Sequence, residues 1–176
     1  HFLKNNSSTR VYEDEAGTIW LCNQMDVIYK VKQNMELETV KINIPAFAFY
    51  EQPFLGYENI LRDHQNREWA FKGNRIYALN KNSKQPTQIF DFSASLKANI
   101  LKMIPDSNGR FWVTTWNGGI LQFDPEENTL KPVKILTKRI FNDISEWKYK
   151  DQLWLMATEI NYGLYLLDAN QRFSKN

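Results

Sequence analysis

The chain has 176 residues, is 43% hydrophobic and 14% aromatic, and carries a formal net charge of +2. That length accommodates one domain with a core, and that apolar content excludes a disordered segment. The small charge excludes the basic face of a nucleic-acid binder, and no stretch nears the ~20 apolar residues of a membrane span.

Several local features read as structural. The densest basic stretch, residues 131–139, is interrupted by Pro132, Val133, Ile135 and Leu136 and reads as a solvated strand edge. The single cysteine, Cys22, cannot form an internal disulfide and reads as a small buried hydrophobe. The chain opens with His1-Phe2-Leu3, without an initiator Met or a signal-peptide pattern, and is expected to be a piece of a longer protein.

In chain order, the organisation is a repeat. Trp stands at 20, 69, 112 and 154, at intervals of 49, 43 and 42 residues. Asp14, Asp63 and Asp106 each precede their Trp by six positions, and Gly17, Asn66, Gly109 and Asp151 precede theirs by three. Asp opens a tight turn by bonding its own backbone, and Gly or Asn accepts the left-handed conformation inside it. Each Trp is then the first large residue of the next strand. A third strand carries Tyr29, Tyr77, Phe123 or Tyr165, and a fourth is expected at 37–42, 87–92 and 130–136.

Four short antiparallel strands per ~44 residues is the period of a propeller blade. The predicted fold is therefore all-β: a β-propeller fragment of four blades, each a four-stranded meander, at about residues 5–44, 57–93, 98–136 and 140–176, the last incomplete. Trp20, Trp69, Trp112 and Trp154 are expected between stacked blades, because a lone blade cannot bury both faces. Asp14, Asp63 and Asp106 are expected as turn formers. His64 lies in one of those turns with neither Cys nor a second His nearby, so no metal site is expected. The long link 43–59, with five aromatics and two prolines, is a candidate lid.

The frame Asp-x-x-Gly-x-x-Trp, followed by Gly118-Gly119 and by Phe123-Asp124-Pro125, resembles the two-component regulator propeller repeat. Residues 106–125 match best, 14–31 match well, and the four copies cover nearly the whole chain. Departures are Lys148 in place of Asp in the fourth copy, and Asn66 and Glu68 in place of Gly and an aliphatic in the second. The resemblance implies the periplasmic sensor region of a Bacteroides-type hybrid two-component system. It implies detection of glycans or oligosaccharides, with a membrane span, histidine kinase and response regulator elsewhere in the parent. It also implies a complete propeller with more than four blades.

In an up-and-down blade, the turns between second and third strands lie at the opposite end from the Asp turns. Residues 23–26, 72–75, 115–118 and 158–162 form these turns, and they vary between copies. Their amides, charges and aromatics suit a sugar, whose faces stack on flat rings and whose hydroxyls bond polar groups. Candidate ligand contacts are Trp116, Asn117, Lys72, Arg75, Glu159 and Asn161.

No cofactor, nucleic-acid or membrane contact is expected. A second reading is a passive interaction or dimerisation scaffold, since four blades leave two open ends. Two copies would close eight blades, or adjoining blades of the parent would continue the stack, and Phe2-Leu3 would contribute to the missing last strand. A remote alternative is a propeller glycosidase or lyase using Asp26 and Glu159, which requires two converging carboxylates.

Overall fold

The computed structural model describes residues 10–14, 16–22, 27–32, 34, 36–41, 60–133, 136–160 and 163–168. These form fifteen strands in four antiparallel sheets. Blade one comprises β1 (Arg10–Glu13), β2 (Ile19–Cys22), β3 (Val27–Val31) and β4 (Leu37–Lys41). Blade two comprises β5 (Leu61–Arg62), β6 (Glu68–Lys72), β7 (Arg75–Leu79) and β8 (Pro86–Asp91). Blade three comprises β9 (Ile100–Pro105), β10 (Phe111–Thr115), β11 (Gly119–Asp124) and β12 (Thr129–Pro132). Blade four comprises β13 (Phe141–Tyr149), β14 (Gln152–Glu159) and β15 (Gly163–Asp168). Strand order follows chain order in every sheet, so each is a plain meander. The long link 43–59, the Cys22 side chain and the expected contribution of Phe2-Leu3 lie outside the described residues.

The Asp turns follow from local chemistry. In blade one, the Gly17 N–H donates to the Asp14 carbonyl and the Asp14 N–H donates to the Thr18 carbonyl, each at 3.0 Å. Gly17 sits at φ 73°. This is a three-residue hairpin loop in which the left-handed residue forms the bulge. Blades two and three repeat it with Asn66 at φ 63° and Gly109 at φ 82°. Blade four departs from the frame. Lys150 (φ 47°) and Asp151 (φ 62°) are both left-handed and join Tyr149 directly to Gln152. That is a two-residue turn of the primed class. It needs no Asp at position 148, which accounts for Lys148 there.

Alternation along each strand sends successive side chains to opposite faces. On β6 and β10, both faces are covered, and all five residues of each are buried. Trp69, Phe71, Ile76 and Phe90 of blade two meet Met103, Phe111, Val113 and Phe123 of blade three. The Trp69 ring lies 4.9 Å from Phe111, and Phe90 lies 4.9 Å edge-on from Phe123. On the other face of blade three, Trp112 and Ile120 meet Ile144, Leu155 and Ala157 of blade four. The stacking rule is therefore explicit: the face bearing the repeat Trp meets the following sheet's face bearing the residue after its own Trp.

Three repeat tryptophans occupy such junctions: Trp20, Trp69 and Trp112 are 2–3% exposed. Trp154 differs from the core position expected for it and is only half-buried. Its face of blade four has no sheet over it among the described residues. Tyr77 is buried, while Tyr29 and Tyr165 are half-buried.

Candidate functional site

At one end of the blades, the turns between second and third strands alternate with the links that lead to the next blade. Backbone bonds lace the two together. In blade two, Lys72 pairs with Arg75 across Gly73-Asn74, and Gly73 has φ 57°. Gly73 and Asn74 carbonyls accept the N–H groups of Ile100 and Phe92 from the following link. In blade three, the Trp116 N–H donates to the Asn99 carbonyl at 2.8 Å, and the Gly119 N–H donates to the Arg139 carbonyl at 2.9 Å. The Trp116 turn is thus anchored to the link before it and the link after it.

Gly118-Gly119 makes that approach possible. A Cβ on Gly119, at φ 83°, would lie 1.9 Å from the Leu136 carbonyl oxygen. A Cβ on Gly118 would lie 2.4 Å from the Thr115 hydroxyl oxygen. Gly119 is a packing requirement of the turn–link contact, whereas Gly118 leaves room for the Thr115 hydroxyl within the turn.

The candidate residues fare differently. Trp116 is 38% exposed on this turn, with Asn117, also exposed, beside it at φ 62°. Lys72 is buried, on the same face of β6 as Glu68 and Ala70, and burial pushes its ammonium down to about 8. Arg75 donates from Nε to Asp91 at 2.6 Å, its cross-strand partner. Glu159 is the last residue of β14 and is buried; its Oε2 accepts from Arg139 at 2.8 Å. Arg139 also donates to the Tyr165 hydroxyl at 2.5 Å and stacks on that ring. Asn161 lies outside the described residues, as do Asp26 and the rest of the 23–26 turn.

Between blades three and four, Lys102 pairs with Asp143. Burial pushes the Asp143 carboxyl up, but the bonds from Lys102 and from the Ile144 N–H outweigh it and hold the carboxyl below its ordinary value. The structure therefore presents Trp116 and Asn117 outward, while Arg75 and Glu159 are tied into ion pairs and Lys72 points inward. Among the described residues, no three His, Cys, Asp or Glu side chains gather as a metal site.

Sequence reasoning missed the polar groups that hold the blades. The Asp14 and Asp63 carboxylates accept the indole N–H of Trp20 at 2.8 Å and of Trp69 at 3.0 Å. In the third copy, Asp106 instead accepts from Gln122, and the Trp112 indole donates to Glu146 of blade four at 2.7 Å. The six-residue Asp–Trp spacing was the available signal for the first pair of bonds. An open depression of about 710 Å³ on blade one, lined by Gly17, Lys30, Lys32 and Glu38 among others, lies at the Asp-turn end and away from Trp116.

No family model matches the sequence, and no curated protein matches it. Solved structures do. The extracellular domain of BT3049 from B. thetaiotaomicron, assigned to a hybrid two-component system, is 17% identical with a TM-score of 0.62, over 98% of this chain and 22% of that one. The corresponding domain of BT4673 from the same organism is 19% identical with a TM-score of 0.59, over 93% of this chain and 24% of that one. YCF48 bound to a D1 peptide is 16% identical with a TM-score of 0.56, over 96% of this chain and 52% of that one. The chain spans about a quarter of the two B. thetaiotaomicron domains, and with them it shares its fold: four consecutive β-propeller blades.

Proposed function

We propose that the chain is a non-catalytic segment of a periplasmic sensor propeller and that its Trp116 end receives an oligosaccharide. The carrying observation is Trp116 itself. A large flat ring is partly exposed, at 38%, on a turn whose backbone is anchored on both sides. Such a ring loses little entropy on stacking against a pyranose face, because its support is already fixed. Asn117 beside it supplies donors and an acceptor for hydroxyls. The shared fold with extracellular domains assigned to two-component systems supports the sensor role and the compartment. Glu159, bonded to Arg139, gives a glycosidase reading no support.

The test is titration calorimetry of wild type and Trp116→Ala against a panel of oligosaccharides. A ligand that binds wild type is expected to lose about tenfold or more in affinity with the variant. The melting temperature should barely change, since Trp116 fills no core. A ligand that binds both proteins equally would remove Trp116 from the site, and silence across a broad panel would end the proposal.

A further inference from the structure

The Trp116 turn lies between two links of the chain itself, and each link sets an exposed lysine beside it along the backbone. Lys97 stands two residues before Asn99, whose carbonyl accepts the Trp116 N–H. Lys138 stands directly before Arg139, whose carbonyl accepts the Gly119 N–H. The turn meets both links closely. A Cβ on Gly118 would lie 3.5 Å from the Ala98 Cβ, and one on Gly119 would lie 3.0 Å from the Thr137 Cα. Lys97 and Lys138 are the chain neighbours of Ala98 and Thr137, so a cation flanks the turn on each side.

The charges at this end do not balance. Every described carboxylate at this end of blades two to four already holds a cation: Asp91 holds Arg75, Asp143 holds Lys102, and Glu159 holds Arg139. The Lys97 Nζ reaches the Ser93 carbonyl at 3.4 Å, and neither Lys97 nor Lys138 has a carboxylate partner among the described residues. Lys138 also sits at φ 62°. Gly or Asn would hold that left-handed position at lower cost, so the backbone there does not call for lysine. At the Asp-turn end of blade three the sign is reversed, since Asp106, Asp124, Glu126 and Glu127 outnumber Arg110 and Lys131.

We infer that the sugar received at Trp116 is anionic, bearing a carboxylate or a sulfate, and that Lys97 and Lys138 select it. This rests on the reading of the Trp116 end as an oligosaccharide site and adds the chemical class of the ligand. The indole stacks on a pyranose face whatever its charge, and Asn117 serves hydroxyls of any sugar. The two ammonium groups distinguish, because charge-assisted bonds and attraction across the solvent act only on the charged sugar.

Titration calorimetry tests it with galacturonate hexamers and sulfated galactose hexamers, each beside its methyl-esterified or unsulfated counterpart. The proteins are wild type, Trp116→Ala and the double variant Lys97→Gln/Lys138→Gln. Both lysines are exposed, so the double variant should fold, which circular dichroism checks. Wild type should bind an acidic hexamer about tenfold or more tighter than its neutral counterpart. That preference should shrink as salt is raised. The double variant should lose most of the preference and keep its affinity for the neutral hexamer, whereas Trp116→Ala should weaken both. A wild type that binds neutral hexamers as tightly as acidic ones, or a double variant that keeps the full preference, overturns the anionic ligand and leaves the oligosaccharide reading standing. Equally tight binding of a polyglutamate peptide overturns it in favour of a site for any acidic chain. Silence toward every acidic hexamer also overturns it, and silence across the broader neutral panel as well ends the oligosaccharide reading with it.

Discussion

Asp63 closes a turn and anchors a junction with the same carboxylate. Its Oδ1 accepts the N–H groups of Gln65 and Arg67, both at 2.9 Å. Its Oδ2 accepts the Trp69 indole and the Arg67 Nε, the latter at 2.6 Å. Burial pushes the carboxyl up, but the bonds from Arg67 and Trp69 outweigh it and hold the group below its ordinary value. A carboxylate depressed in the folded state stabilises the fold above its unfolded value of about 3.9, and that contribution disappears as pH falls through the folded value. Asp63→Asn should therefore cost about 1–3 kcal/mol at pH 7, because the amide cannot serve four donors. The gap between wild type and variant should narrow as pH falls below about 4. Urea denaturation at pH 7, 5, 4 and 3 checks this, and a gap unchanged across the series would show that the charge is irrelevant. The turn itself was legible from Asp63 and Asn66. The indole bond was signalled only by the six-residue spacing, because its formation depends on which way the Trp69 ring lies in a junction built partly by blade three.

Elements sharpen the same distinction between local and distant causes. Gly109 and Gly119 have nearly equal φ, 82° and 83°, yet different surroundings. A Cβ on Gly109 would meet nothing within 4 Å, whereas one on Gly119 would collide with the Leu136 carbonyl. Gly109→Ala should cost only the left-handed strain, about 1–2 kcal/mol. Gly119→Ala adds displacement of the 136–139 link, about 1–3 kcal/mol more by comparison with overpacked cores. Thermal melts of the two variants check the difference, and equal losses would mean that the link yields freely. The turn role of Gly109 is readable from Asp106 three residues before it. The role of Gly119 is not, since its constraint comes from a carbonyl seventeen positions away. The fourth hairpin makes the converse point. Its frame reads as a damaged repeat at Lys148, but the Lys150-Asp151 turn is a different solution to the same reversal. Of the candidate site, Trp116 was legible as a tryptophan outside the repeat position on a turn. The partners that occupy Arg75 and Glu159 were not, because Asp91 lies on the neighbouring strand and Arg139 in the link leading into blade four.

Across the whole molecule, the junctions differ in chemistry. Blades two and three meet through aromatic and aliphatic side chains. Blades one and two meet through an ion pair set against an aromatic ring. Glu68 and Lys84 are both fully buried with Oε2 and Nζ 2.5 Å apart. Lys84 also donates to the Lys81 carbonyl, and its Nζ lies 4.8 Å from the Trp20 ring of blade one. The repeat usually has an aliphatic residue where Glu68 stands, so this departure is matched sixteen residues later by a lysine that no local pattern marks. Removing one member leaves a buried charge, which costs about 3–5 kcal/mol, whereas an apolar pair of similar volume is often neutral or better. Glu68→Leu and Lys84→Met should each destabilise the chain strongly, although Arg62, 3.7 Å from Glu68, will soften the loss when Lys84 is removed. The double variant should recover most of the loss, falling short of wild type by what Arg62 gives up with Glu68. Denaturant unfolding of all four proteins measures the coupling as a double-mutant cycle. A double variant as unstable as the sum of the single losses would show that the two side chains act separately, and that blade one is held to blade two by something other than this pair.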